Sequence, residues 1–181
     1  TDCGETWSVI DLPTNENLNI IYFVTRFKGW IAGENGILLT TDDGAENWRS
    51  VPTGVLSNLR TINFLDDSLG IAGGNTATIF TDNGGATWSA RANDPSCEIN
   101  SSAEIGGTQF GVGPNGKIVK SEGAFFSGWQ PVDSPTTKNL NYLQVIDHER
   151  AYCCGDSGTY VKTEDGGLTW TEVTFPNDCN I

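Results

Sequence analysis

The sequence predicts an all-β chain: a β-propeller-type array of four four-stranded blades, with one extra strand at the amino terminus. Tryptophans recur at Trp7, Trp48, Trp88, Trp129 and Trp170, 40 or 41 residues apart in a chain of 181 residues. Between them, short β-branched and aromatic runs alternate with Gly, Asn and Asp turns, and no stretch keeps a helical period. Four strands in each period of roughly 40 to 45 residues is the pattern of a propeller blade. A repeat of this length cannot bury its own apolar face, so neighbours must stack.

The elements follow in order. The first unit reads Asn19-Ile20-Ile21-Tyr22-Phe23-Val24, then Gly29-Trp30-Ile31-Ala32-Gly33, then Gly36-Ile37-Leu38-Leu39-Thr40-Thr41, and last Trp48-Arg49-Ser50-Val51. The second has Arg60 to Phe64, Gly70 to Gly73, Ala77 to Phe80 and Trp88 to Ala90; the fourth has Asn141 to Val145, Ala151 to Gly155, Gly158 to Lys162 and Trp170 to Val173. This places an extra strand at 5–11 and blades at about 18–52, 59–91, 98–133 and 140–175, all within one domain spanning 1–181. Trp30, Phe110 and Tyr152 hold matching second-strand positions and are expected to fill the space between blades.

Each third strand runs into the same phrase, seen in Thr81-Asp82-Asn83-Gly84-Gly85-Ala86-Thr87-Trp88 and Thr163-Glu164-Asp165-Gly166-Gly167-Leu168-Thr169-Trp170. The pattern Ser/Thr-x-Asp-x-Gly-x-Thr-Trp resembles the Asp-box, or bacterial neuraminidase repeat. With Gly-Trp-x-x-Gly-x-x-Gly-x-Ile/Leu ahead of it, the chain looks most like the photosystem II stability and assembly factor family and its secreted bacterial relatives. The resemblance covers nearly the whole chain. It implies blades with an Asp-box between third and fourth strands, but it implies no single chemistry, because sialidases, xyloglucanases and sortilin-type receptors share the turn.

The turn has a physical rationale. A carboxylate or amide accepts backbone N–H bonds, Gly supplies a positive φ, and Trp lays a large ring between sheets. Asp2, Asp43, Asn83 and Asp165, with Trp7, Trp48, Trp88, Trp129 and Trp170, are therefore read as structural. The copies decay. Ala45 and Asn47 replace Gly and Thr in the first, and the third, from Ser121 to Trp129, has gained a residue and lost its acid.

The amino terminus, Asp2-Cys3-Gly4-Glu5-Thr6-Trp7-Ser8-Val9-Ile10, is the back half of such a box with its fourth strand. The last blade already owns a fourth strand after Trp170, so the Thr6, Trp7, Ser8, Val9, Ile10 segment is surplus, and an unpaired strand is a template for another chain. Four arrangements would give it a place: an edge of a tight four-bladed ring, a larger ring of which this is part, donation to a neighbour's sheet, or an open head-to-tail filament. The sequence does not choose among them. Self-association is the expectation carried forward.

Composition narrows the function. With 23 acidic and 10 basic residues the net charge is −13, which opposes nucleic acid and anionic lipid. No apolar run is long enough to cross a membrane and no signal-peptide pattern stands at the start. The chain contains no Met, which fits a processed or trimmed polypeptide. Five cysteines without a metal-type Cys-x-x-Cys point to disulfides and an extracellular or periplasmic setting. A Cys3–Cys179 clasp and a bridge from Cys97 to Cys153 or Cys154 are the expected pairings. The odd thiol is left as a free buried group, an intermolecular bond or part of a vicinal disulfide. The triplet Asn100-Ser101-Ser102 is a glycosylation pattern of a kind frequent by chance.

Catalysis finds little footing. Arg26, Arg49, Arg60, Arg91 and Arg150 fall at different repeat positions, so no sialidase-like arginine cluster is expected. The acids lie mostly in turns, which leaves no evident glycosidase pair. His148, the single histidine, sits in a turn without a nucleophile beside it, and no calcium loop follows Asp42, Asp66 or Glu164. The expectation is a non-catalytic, secreted scaffold without metal or cofactor, whose partners are proteins, copies of itself included. The alternatives are a client-binding factor of the photosystem-assembly kind, or a glycan-binding or glycan-cleaving module that nothing in the sequence supports.

Overall fold

The computed structural model describes residues 4–91, 98–121 and 128–174. Within them the chain forms four sheets, each a four-stranded antiparallel meander in chain order. Blade 1 comprises β1 (Leu18–Phe23), β2 (Gly29–Gly33), β3 (Leu38–Thr41) and β4 (Arg49–Ser50). Blade 2 comprises β5 (Leu59–Phe64), β6 (Gly70–Gly74), β7 (Thr78–Thr81) and β8 (Ser89–Arg91). Blade 3 has β9 (Ser101–Ile105), β10 (Thr108–Val112), β11 (Ile118–Ser121) and β12 (Gln130–Val132); blade 4 has β13 (Leu140–Val145), β14 (Ala151–Gly155), β15 (Tyr160–Thr163) and β16 (Thr171–Glu172).

The blades are arranged in an arc. First strands pack in succession, β1 on β5, β5 on β9 and β9 on β13, with no comparable contact from β13 back to β1. Backbone and side-chain bonds link neighbours near the axis: Ile99 N–H to Gly74 O at 3.0 Å and Leu140 N–H to Gly113 O at 3.0 Å. Thr61 and Ser102 hydroxyls meet at 2.8 Å, and Leu143 N–H donates to Ser101 Oγ at 3.2 Å. Single 3₁₀ turns after the second strands of blades 1, 3 and 4 bring Asn35, Asn115 and Ser157 to positive φ. Asn58 and Asn139, each at the entrance to the next blade, accept from the N–H of Asn35 (3.2 Å) and Asn115 (2.9 Å).

Strand periodicity gives each sheet two faces, a front toward the next blade and a back toward the previous one. The core lies in the joints. Trp30, Ala32 and Leu38 on the front of blade 1 meet Ile62, Phe64, Ala72, Ile79 and Trp88 on the back of blade 2. Trp30 stacks on Phe64 with centroids 4.3 Å apart, and Phe64 meets Trp88 edge-on at 5.9 Å. Blades 2 and 3 join through Ile71, Ile99, Val119 and Trp129. Blades 3 and 4 repeat the first joint with Phe110, Val112 and Ile118 against Leu143, Cys153, Val161 and Trp170.

The segment expected as an extra strand differs in kind from the blades. Residues 6–12 are not assigned to a strand and join none of the four sheets. Trp7 and Val9 are 90 % and 96 % exposed. A strand needs a partner ladder to define it, and none of the four sheets offers these residues one.

The second-strand aromatic of one blade sits on an Asp-box glycine of the next. A Cβ at Gly85 (φ +78) would lie 2.5 Å from Trp30 Nε1, and one at Gly167 (φ +84) 2.3 Å from Phe110 Cζ. Blade 1 has Ala45 at this position with φ +74. Gly85→Ala should therefore destabilise the chain by about 2 kcal/mol or more through overpacking and left-handed strain. Ala45→Gly should stabilise by about 1 kcal/mol, having strain to relieve but no internal ring to admit. Trp88→Ala should cost about 3–5 kcal/mol. Urea unfolding monitored by tryptophan fluorescence checks all three.

Candidate functional site

The Asp-boxes are built on a threonine hub that the sequence reading passed over. Thr41 Oγ donates to Asp43 Oδ1 (2.8 Å) and accepts from Ala45 N–H (3.1 Å), while Asp43 Oδ1 accepts from Asn47 N–H (3.0 Å). Thr81 and Asn83 repeat this with Gly85 and Thr87; Thr163 and Asp165 repeat it with Gly167 and Thr169. Gly44, Gly84 and Gly166 N–H groups then pin each box to the turn between the first two strands of its blade, on Phe27, Ser68 and Glu149 carbonyls. Hydrogen bonds from Asn47 and Thr41 lower the Asp43 pKa to about 2. Those from Thr169, with Thr163, do the same for Asp165. In the turn Asp147-His148-Glu149-Arg150, the Arg150 guanidinium and two backbone N–H groups lower Asp147 to about 2.

The box tryptophans divide by position. Trp88, Trp129 and Trp170 are buried on the backs of blades 2, 3 and 4. Trp48 is half-buried on the back of blade 1, edge-on to Phe23 at 6.1 Å. Thr6, Trp7, Ser8, Val9 and Ile10 are exposed. Asp2, Cys3, Cys97 and Cys179 lie outside the described residues, and with them the Cys3–Cys179 clasp. Cys153 and Cys154 are free thiols, so neither carries the bridge expected from Cys97, nor do they bond each other. As successive strand residues they face opposite sides of β14. Cys153 is buried against blade 3, which pushes its thiol up to about 12, and Cys154 is exposed on the front. Among the described residues, no group of three or more His, Cys, Asp or Glu is placed to hold a metal.

A concavity lies on the inside of the arc. It measures about 700 Å³ and is lined by Asn19–Tyr22, Arg60–Phe64, Asn100–Glu104 and Asn141–Val145, one stretch from each first strand. Each of β1, β5, β9 and β13 is the edge of its sheet. The backbone groups on that side take no part in a ladder, although Leu59 O, Ser102 N–H, Leu140 O and Leu143 N–H are engaged by side chains of neighbouring blades. Among the described residues, Arg60 and Glu104 are the charged members of this lining.

A row of side chains crosses the groove from blade to blade. Asn19 Nδ2 donates to Leu59 O (2.9 Å), Arg60 Nη1 to Asn100 Oδ1 (2.7 Å) and Asn100 Nδ2 to Leu140 O (2.9 Å). In blade 4 the equivalent Asn141 turns to Asp156 within its own blade, at 2.7 Å. Asn19, Arg60 and Asn141 fall where the β1, β5 and β13 registers slip, which frees their side chains to reach sideways. The signal was present as a polar residue at a 40-residue spacing inside apolar strands. The Asn100-Ser101-Ser102 triplet is occupied by these contacts, with Ser101 and Ser102 buried.

The fold and its turns define an Asp-box propeller of stacked four-stranded blades, with a peptide-sized groove along its inner strands. The family model for the photosynthesis system II assembly factor YCF48 matches residues 1–103, and the chain belongs to that family. It is 30 % identical over 96 % of its length to the chloroplastic photosystem II stability/assembly factor HCF136 of Arabidopsis thaliana, of which it covers 48 %. It is 28 % identical over 72 % of its length to the photosystem II assembly lipoprotein Ycf48 of Synechococcus sp. (strain CC9902), covering 39 %. The solved structure of YCF48 bound to D1 peptide superposes with a TM-score of 0.76 at 21 % identity, over 95 % of this chain and 57 % of that one. The chain thus spans about half the length of the relatives it matches.

The acid behaviour of the boxes can be tested within the repeat. Asp43, Asp147 and Asp165 are depressed below their ordinary value of 3.8 in the folded chain. Their contribution is present above about pH 4, the unfolded value, and is lost as pH falls toward 2. Asn83 does the same work without a charge. Asp165→Asn should therefore keep the neutral-pH melting temperature within a few degrees and flatten its fall between pH 4 and 2. Thermal melts across that range read both effects.

Proposed function

We propose that the protein is a non-catalytic client-binding factor that holds an extended segment of another protein along its inner groove. The observation that carries this is the groove itself: four sheet edges line it, their backbone groups outside any ladder and engaged only in part by side chains of the neighbouring blade, with one cation and one anion among the described residues. Backbone pairing supplies affinity without reading sequence, and side chains between the edges select the client. Among the described residues the lining carries one carboxylate, Glu104, where glycoside hydrolysis uses a pair. The family supports the same role, since a relative is solved with a bound D1 peptide. A compartment outside the cytosol belongs to this reading and draws support from relatives described as chloroplastic and as a lipoprotein. Binding of a labelled D1 peptide, followed by fluorescence anisotropy, is expected to saturate, and Arg60→Glu to weaken it at least tenfold by breaking the Asn100 contact and inverting charge. An unmodified chain that leaves the peptide free would sink the proposal.

A second reading, self-association through the amino-terminal segment, is favoured by the exposure of Trp7 and Val9. Trp7→Ser with Val9→Ser should then shift the chain toward monomer in size-exclusion chromatography at fixed concentration. An unchanged elution volume would remove the segment from any such role.

A further inference from the structure

The two ends of the arc expose the two halves of one kind of joint. Tyr142, Tyr152 and Tyr160 on the front of blade 4 match Ile20, Trp30 and Leu38 on the front of blade 1 by register. Blade 2 covers Trp30 and Leu38 completely, whereas Tyr142 is 54 % exposed, Cys154 is exposed and Tyr152 is only half-buried. At the other end, Ile21, Phe23 and Trp48 match Ile62, Phe64 and Trp88. The latter three are buried by blade 1, but Ile21 is 57 % exposed and Phe23 38 %, while Ile31 and Leu39 on the same face are already buried within the chain.

We propose that the front of blade 4 packs on the back of blade 1 of a second copy, and that the same joint made twice closes two four-bladed arcs into one ring. The occupant is argued from the chain itself, since each covered front meets the back of an Asp-box blade from this same repeat. Asn141 fits as well. Its counterparts Asn19 and Asn100 each reach a main-chain carbonyl of the following blade, and Asn141 turns back to Asp156 where no following blade is at hand. The groove then becomes a channel walled by both copies.

The match has misfits at Gln144 and Lys162, where blade 1 has Tyr22 and Thr40, and at Ala45. Ala45 stands where Gly85 and Gly167 admit an aromatic ring, so Tyr152 must settle away from the Trp30 pose, and the joint is weaker than those inside the chain. Ile21 and Tyr142 also line the groove, whereas Trp48, Tyr152, Cys154 and Tyr160 lie outside it; a peptide-binding monomer would defeat this proposal and leave that reading standing.

Sedimentation velocity of the 181-residue chain across micromolar concentrations tests the joint. The chain should pass from monomer to dimer and no further, and Ala45→Gly should lower the midpoint concentration at least threefold. Ile21→Asp and Tyr142→Asp, both at exposed positions and checked for fold by circular dichroism, should each remain monomeric. Mixed together they should form a dimer weaker than the original, because one intact front still meets one intact back. Ile146→Asp, a second exposed substitution just beyond the end of β13, should behave as Tyr142→Asp does. Four results would overturn the proposal: a monomer at every concentration, open polymers, a dimer indifferent to Ile21→Asp and Tyr142→Asp, or one lost only when Trp7 is replaced.

Discussion

Burial between blades is the constraint on which the rest of the molecule depends. A four-stranded sheet of this size has two apolar faces and almost no interior, so the core exists only where the front of one blade meets the back of the next. Trp30 over Gly85 and Phe110 over Gly167 show how closely the faces must match, since a single methyl group at either glycine would collide with the ring. The Asp-box serves this contact. Its threonine and Asp or Asn hold the turn so that the glycine and the tryptophan face the previous blade together.

The same stacking produces the groove. First strands converge toward the axis and leave one edge each without a ladder partner, so the groove is a by-product of how the blades pack. Asn19, Arg60 and Asn100 tie successive blades at its mouth, which couples the shape of the groove to the angle between blades. A bound segment lying across several first strands would be sensitive to that angle. The electrostatic character is local as well. Although the chain carries −13 overall, much of its acid is engaged in turns by backbone N–H groups, as at Asp43, Asp66, Asp147 and Asp165.

The spacing of Trp48, Trp88, Trp129 and Trp170, together with the Gly and Asp turns, was enough to place four meanders and to order their strands. These signals are local: a turn residue fixes its own φ, and alternation fixes which face a strand residue occupies. The two classes of Asn in the repeat could not be separated this way. Asn83 closes a bond within its own turn, whereas Asn19 and Asn100 bond across to another blade, and a linear pattern shows the spacing without the direction. The cysteines lacked such a local rule. A bridge from Cys97 to Cys153 or Cys154 rested on blade adjacency alone, and both thiols of the vicinal pair are free.

By itself the sequence determined the class of fold, the number of blades and the family, because the period and its turn chemistry are properties of short segments. Tertiary structure decided that the blades form an arc whose β13 does not return to β1, that residues 6–12 join no sheet, and that Ile21 and Phe23 at one end and Tyr142 at the other stay exposed. Those outcomes depend on the angle at which each apolar face meets its neighbour. That angle is set by side chains some 40 residues apart in the chain and in contact only after folding, such as Trp30 and Phe64 or Asn19 and Leu59.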